Sequence, residues 1–80
     1  MYRLKYDPAA EAAYDALPAD AGRQFTLALA DVCRDPFGHS IPYDDNDGVV
    51  RMVVTDQVFA VVLVGDALRT VTVLQISSFG

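Results

Sequence analysis

The sequence contains few of the residues on which most catalytic and metal sites depend. Its 80 residues include one cysteine, Cys33, one histidine, His39, and no tryptophan. A single cysteine excludes an internal disulfide, and one reduced thiol is typical of a cytoplasmic protein, so that location is expected. Arg3, Lys5 and Asp7 place charges in the first residues, which argues against a signal peptide.

Positive charge is also scarce. Six Lys and Arg stand against eleven Asp and Glu, which gives a net charge of −5. Nucleic-acid affinity depends on neutralising phosphates with Lys and Arg, so the balance disfavours nucleic acid as a partner. No apolar run approaches the roughly 20 residues of a membrane-spanning helix, so no membrane partner is expected. The 52% hydrophobic content predicts one globular domain over residues 1–80.

Most of the β-branched residues lie in one stretch, 49–76, which is typical of consecutive antiparallel strands. Two short polar breaks divide the stretch, and they predict strands at 49–55, 58–64 and 70–77. The middle strand contains no polar side chain, so we expect it at the centre of the sheet. A turn at Asp56 and Gln57 would pair Arg51 with Val62.

The first half of the chain predicts one short strand and two helices. Residues 2–6 alternate in polarity, and two cations on so short a strand predict a sheet edge. Asp7-Pro8 is a typical helix start, and Leu17-Pro18 ends that helix. A second helix is predicted from 20 to 34. The predicted fold class is therefore α+β, in the order β-α-α-β-β-β, with a helical hairpin packed on one face of a four-stranded, mainly antiparallel sheet.

Alternation along the strands divides their side chains between two faces. The bulkier set is predicted to face the helices: Val50, Met52, Val54, Phe59, Val61, Leu63, Leu74 and Ile76. The other set, which also contains Gln75, would form an open apolar face. Such faces usually bind a partner, so we predict partner-binding residues at Val49, Arg51, Val53, Ala60, Val62, Val71 and Val73. The Arg51 side chain would either cap this face in water or hold an acidic group of the partner.

Several landmarks occur in a characteristic order. They are a tyrosine-rich first strand, Asp7-Pro8 followed by Ala10, Leu17-Pro18 between the helices, Asp35-Pro36 after the second helix, a loop with Pro42, and Gly48-Val49-Val50-Arg51 entering the sheet. In this order the chain resembles the RelE/ParE toxin superfamily of bacterial type II toxin–antitoxin modules. The resemblance implies a co-encoded antitoxin as partner, and either ribosome-dependent mRNA cleavage or inhibition of gyrase.

The chain departs from that family at its basic residues. The resemblance places Arg51 at one of the positions where the family's nucleases carry a cation, so Arg51 is the candidate catalytic contact to mRNA phosphate. Val53 stands where a second basic residue is expected, and Ala60 where the main catalytic arginine is expected. Cleavage requires a proton acceptor, a proton donor and a cation, of which Arg51 would supply one. Two alternatives therefore stay open: a catalytically inactive interaction module, bound by an antitoxin or homodimeric, and a gyrase inhibitor.

The remaining candidates predict no further chemistry. His39 would need a partner fixed within hydrogen-bond reach to act as a base, so a solvated loop histidine is expected. The acidic run Asp44–Asp47 matches only two of the positions that a calcium loop requires, and Val54 stands where its glutamate would be. Cys33 has no matched base and is expected at the margin of the core. We therefore expect no metal and no cofactor.

Overall fold

The computed structural model describes residues 1–43 and 49–79. The elements, in chain order, are β1 (Arg3–Tyr6), α1 (Pro8–Asp15), α2 (Ala19–Arg34), β2 (Ile41–Pro42), β3 (Val50–Val54), β4 (Val58–Gly65) and β5 (Thr70–Ser78). The strands form one sheet in the order β1-β5-β4-β3-β2, with both helices against one of its faces. β1 pairs in parallel with β5, and the other pairs are antiparallel. The predicted α+β class is confirmed, and β2 adds a fifth strand in a segment expected to be a loop.

The helix ends are set by local chemistry. The Asp7 side chain accepts a hydrogen bond of 3.1 Å from the Ala9 backbone N–H, as an N-cap residue does, and Pro8 begins α1. Pro18 separates the two helices, since a residue before proline avoids the helical region. α2 ends at Arg34, directly before Asp35-Pro36. Both helices therefore lie within one or two residues of their predicted positions.

The predicted centre of the sheet is also confirmed. β4 lies in the middle of the five strands, and Arg51 is paired with Val62 as the two-residue turn requires. The same register pairs Val53 with Ala60. At the other end of the sheet β1 forms an edge, as its two cations predict.

The predicted assignment of the two sheet faces is wrong. The sheet residues buried beneath the helices are Val53, Val58, Ala60, Val62, Val71 and Val73, each at most 2% exposed. They pack in one core with Ala10, Ala21, Phe25, Leu29, Val32 and Cys33. The reason is volume: Phe25 and Leu29 already fill the space between the layers, so close packing requires small side chains on the sheet. The bulkier residues of β3 and β4 consequently point away from the helices.

A register irregularity also changes the faces of β5. Val61 is paired with Gln75 and Val62 with Val73, so Leu74 has no opposite residue. The extra residue shifts the alternation, as a β-bulge does. Ile76 therefore packs against the core and Gln75 lies with Val61 on the opposite face, as predicted for both residues, whereas Val71 and Val73 are buried in the core against the prediction.

Within residues 1–43 and 49–79, no helix is long and apolar enough to cross a membrane. Cys33 is buried at the edge of the core, as predicted. Burial raises the pKa of its thiol, which keeps the group protonated and unreactive at neutral pH.

Candidate functional site

The side of the sheet away from the helices is called the open face here. Residues opposite each other on neighbouring strands point to the same side, so the registers define rows across it. One row contains Lys5, Thr72, Leu63 and Val50. The next contains Gln75, Val61, Met52 and Ile41. The third contains Ser77, Phe59 and Val54.

The open face is apolar over three adjacent strands. Every side chain that β2, β3 and β4 contribute to these rows is hydrophobic, and several are well exposed: Val54 and Ile41 at 50% and Leu63 at 38%. Antiparallel sheets usually turn polar side chains to solvent. A contiguous apolar patch of this kind on a folded protein marks an interaction site.

The open face offers little for acid–base chemistry. Strands β3, β4 and β5, which the structure describes in full, carry one charged residue, Arg51. Arg51 is paired with the buried Val62 and therefore lies on the helix side of the sheet, where it is 8% exposed. The cations that lie along the open face are Arg3 and Lys5, both on the edge strand β1.

Arg51 holds the loop between α2 and β2. Its Nε donates a hydrogen bond of 2.6 Å to Ser40 Oγ, and its Nη2 donates one of 2.9 Å to the Ser40 carbonyl. Its guanidinium carbon lies 4.9 Å from the centre of the Phe37 ring, within the range of a cation–π contact. Ser40 Oγ in turn donates to the Pro36 carbonyl. The arginine is therefore a structural clamp on residues 36–40.

The predicted partner-binding residues do not form a common exposed surface. Val53, Ala60, Val62, Val71 and Val73 belong to the core. Val49 is half-buried, and its carbonyl accepts a hydrogen bond of 2.8 Å from Val64 N. Alternation in the sequence could not identify the correct face, since the opposite set of side chains on β3 and β4 is equally apolar.

The other predicted candidates are not brought together. His39 is exposed, and its backbone N–H donates to the Asp35 carbonyl at 3.2 Å. Among the residues that the structure describes, no three His, Cys, Asp or Glu side chains form a group that could hold a metal ion. The Asp44–Asp47 run lies outside the described residues.

A second surface feature, which the sequence did not indicate, is a groove of about 440 Å³ between the two helices. Tyr14 and Thr26 lie in it with their hydroxyl groups hydrogen-bonded to each other, and Leu27 at its rim is 63% exposed. The groove is open and carries an acid, Asp15, and a base, Arg23. Arg23 forms a salt bridge of 3.1 Å with Asp20, and both side chains are exposed to solvent.

Solved structures share this arrangement of helices and strands. The isolated RelE toxin of E. coli aligns over 98% of this chain and 84% of its own, with a TM-score of 0.85 at 17% identity. The RelBE2 toxin–antitoxin complex of Mycobacterium tuberculosis aligns over 96% of both chains, with a TM-score of 0.82 at 17% identity. The archaeal RelE–RelB complex of Pyrococcus horikoshii aligns over 99% of this chain and 96% of its own, with a TM-score of 0.67 at 22% identity.

The chain therefore has the fold of the RelE toxins, and the predicted resemblance is confirmed at the level of the fold. Neither a protein-family model nor a curated protein sequence matches the chain.

Proposed function

We propose that this chain is the toxin component of a type II toxin–antitoxin module, and that it acts in the cytoplasm by binding proteins. The antitoxin would be its first partner and would cover the open face. The proposal is supported by the fold, since solved RelE structures of the same fold include toxin–antitoxin complexes of E. coli and Mycobacterium tuberculosis.

The observation that carries the proposal is the apolar composition of the open face on β2, β3 and β4. Leu63, Ile41 and Val54 lie in the three successive rows of this face, on β4, β2 and β3, and each is between 38% and 50% exposed. Leaving such a patch in water costs free energy in proportion to its apolar area, at roughly 25 cal/mol per Å². Covering it with a partner recovers that free energy, which is the driving force for association.

Cleavage of mRNA on the ribosome, which the resemblance also implies, receives less support. A phosphate contact by Arg51 would require the guanidinium to leave Ser40 and Phe37 and to reach the opposite side of the sheet. The open face of β3 to β5 supplies no carboxylate, imidazole or cation for proton transfer or charge stabilisation. The catalytic role of Arg51 stays a prediction that its burial disfavours.

Co-expression with the small protein encoded by the adjacent reading frame tests the proposal. The wild-type chain should co-purify with that protein as a stable complex. Leu63→Asp should lose the complex, because it places a charge in the apolar patch. Leu27→Asp is the matched control, since Leu27 is exposed on α2, away from the open face, and this variant should keep the partner.

Two results would overturn the proposal. One is a complex that survives Leu63→Asp but is lost in Leu27→Asp, which would place the partner on the helices. The other is a wild-type chain that stays monomeric and does not associate with the neighbouring protein. A homodimer that dissociates in Leu63→Asp, without an antitoxin, would show a second copy to be the occupant of the open face.

A further inference from the structure

The chemistry of the open face changes from one edge of the sheet to the other. Its β2, β3 and β4 side is hydrophobic, as described above. β5 contributes the uncharged polar side chains Thr72, Gln75 and Ser77, with Leu74 38% exposed at the irregularity, and β1 contributes Lys5 next to Thr72 and Arg3 next to Thr70. The face therefore changes from apolar, through mainly neutral polar, to cationic.

This order restricts what can cover the face. β4 is paired with a strand on each side, and the backbone N–H and C=O groups of a sheet lie in its plane, so an occupant of the face gains no main-chain hydrogen bonds from it. A segment lying there must satisfy its own backbone, because unpaired buried N–H and C=O groups are costly. An α-helix does so, and an amphipathic helix also presents one apolar stripe.

The spacing of the strands and the positive charge of β1 then indicate which residues the side of that helix nearest β1 should carry. Strands lie about 4.8 Å apart, so β1 is about 10 Å to the side of β4. A helix about 10 Å wide that lies over β4, the apolar strand next to β5, reaches β5 with its flank, and the long side chains of Arg3 and Lys5 cover the remaining distance. On the opposite side of the molecule, α1 and α2 carry the acids Glu11, Asp15, Asp20 and Asp31 and the arginines Arg23 and Arg34, which are paired with Asp20 and Asp31, so the two helices keep a net negative charge. An acidic group of the partner is therefore attracted at the β1 edge and repelled from the helical side.

We infer that the occupant of the open face is an amphipathic helix with acidic residues along one flank, and that Arg3 and Lys5 fix its orientation by pairing with that flank. The inference rests on the proposed function, because it names the chemistry of the partner at the same face. In this arrangement, most of the binding free energy comes from the apolar side chains of β2, β3 and β4. Arg3 and Lys5 on β1 determine which way round the helix binds.

Two synthetic helical peptides provide the probe. Each peptide has the same stripe of leucines, with glutamines along one side of the stripe. Along the other side, one peptide carries glutamates and the second carries lysines. Binding of each peptide to the full chain is measured by fluorescence anisotropy at low and high salt. The glutamate peptide should bind about tenfold more tightly, the effect expected when two exposed ion pairs change from repulsion to attraction. High salt should reduce this ratio, since it screens exposed charges.

Charge reversal at the edge strand is the decisive comparison. The double variant Arg3→Glu with Lys5→Glu should reverse the preference between the two peptides. Arg23→Glu is the control on α2, where the exposed arginine lies away from the open face, and it should leave the preference unchanged. Circular dichroism establishes that each variant is folded.

The outcomes separate this inference from the proposed function. If both peptides bind equally and Leu63→Asp abolishes both, the open face binds helices but the role of Arg3 and Lys5 is overturned. If neither peptide binds, the helix itself is overturned as the occupant. If single-stranded poly(U) binds instead of the peptides, and the double variant does not bind it, then Arg3 and Lys5 bind nucleic acid and the inference is again overturned.

Discussion

Arg51 and Ser40 are joined by two hydrogen bonds, from Nε to Oγ at 2.6 Å and from Nη2 to the carbonyl oxygen at 2.9 Å. The pair connects β3 to the loop that leaves α2, eleven residues earlier in the chain. A buried guanidinium with these partners stabilises the fold, because removing it leaves polar groups of the loop without their donors. This relationship changes what a substitution of Arg51 is expected to do.

We predict that Arg51→Ala lowers the free energy of unfolding by about 2 kcal/mol, the usual cost of losing charged hydrogen bonds in a buried site. Urea denaturation followed by circular dichroism measures the effect. Arg51→Lys should recover only part of the loss, since an ammonium group cannot reproduce both bonds and the stacking on Phe37. Arg34→Ala is the control: its salt bridge to Asp31 is exposed, so its removal should cost less than about 1 kcal/mol. An equal free energy of unfolding for Arg51→Ala and the wild type would contradict the stabilising role of Arg51.

The neighbours Val62 and Leu63 test the assignment of the sheet faces. Val62 is fully buried and Leu63 is 38% exposed, so the same substitution meets opposite environments one residue apart. Val62→Glu should destabilise the chain by more than about 4 kcal/mol, because it buries an unpaired carboxylate. Leu63→Glu should leave the chain folded. Thermal melting of both variants measures this. If Val62→Glu stays folded and Leu63→Glu unfolds, the assignment of the core side and the open face is the wrong way round.

The stability of the fold should decrease at alkaline pH. Burial, with a smaller contribution from Tyr14, raises the pKa of Tyr6 from 10.0 to about 12. The folded state therefore favours the neutral phenol, and its contribution to stability is complete below pH 10 and is lost as the pH rises towards 12. Unfolding midpoints in urea should fall across this range. Tyr6→Phe should show a weaker fall, and an unchanged pH dependence in that variant would exclude Tyr6 as the cause.

Expression of the chain alone should not produce cleavage of translated mRNA. The open face of β3 to β5 has no group for proton transfer, and Arg51 is held on the opposite side of the sheet. Primer extension on mRNA from expressing cells measures the activity. New cleavage sites in the register of the ribosomal A site would contradict the prediction. If these cleavage sites then disappear in a folded Arg51→Ala variant, Arg51 is a catalytic residue after all.

The sequence was sufficient for every element of the fold except β2. Asp7-Pro8, Leu17-Pro18 and Asp35-Pro36 determine where the helices begin and end, because proline and N-cap preferences act within a few residues. The β-branched runs and the turn at Asp56 and Gln57 likewise determine the pairing of β3 with β4. The two-residue strand β2 was missed, since a strand of that length has no periodicity to detect.

Only the tertiary structure decided which face of the sheet is the core. Both faces of β3 and β4 are apolar, so alternation alone does not distinguish Val62 from Leu63. The choice depends on the volume that Phe25, Leu29 and the other helical side chains bring to the interface, and those residues are distant in sequence. The partner of Arg51 and the irregularity at Leu74 were likewise beyond the sequence, because each arises from contacts between separate segments of the chain. The site follows from these packing choices, since the side of the sheet that the helices leave uncovered is the side available to a partner.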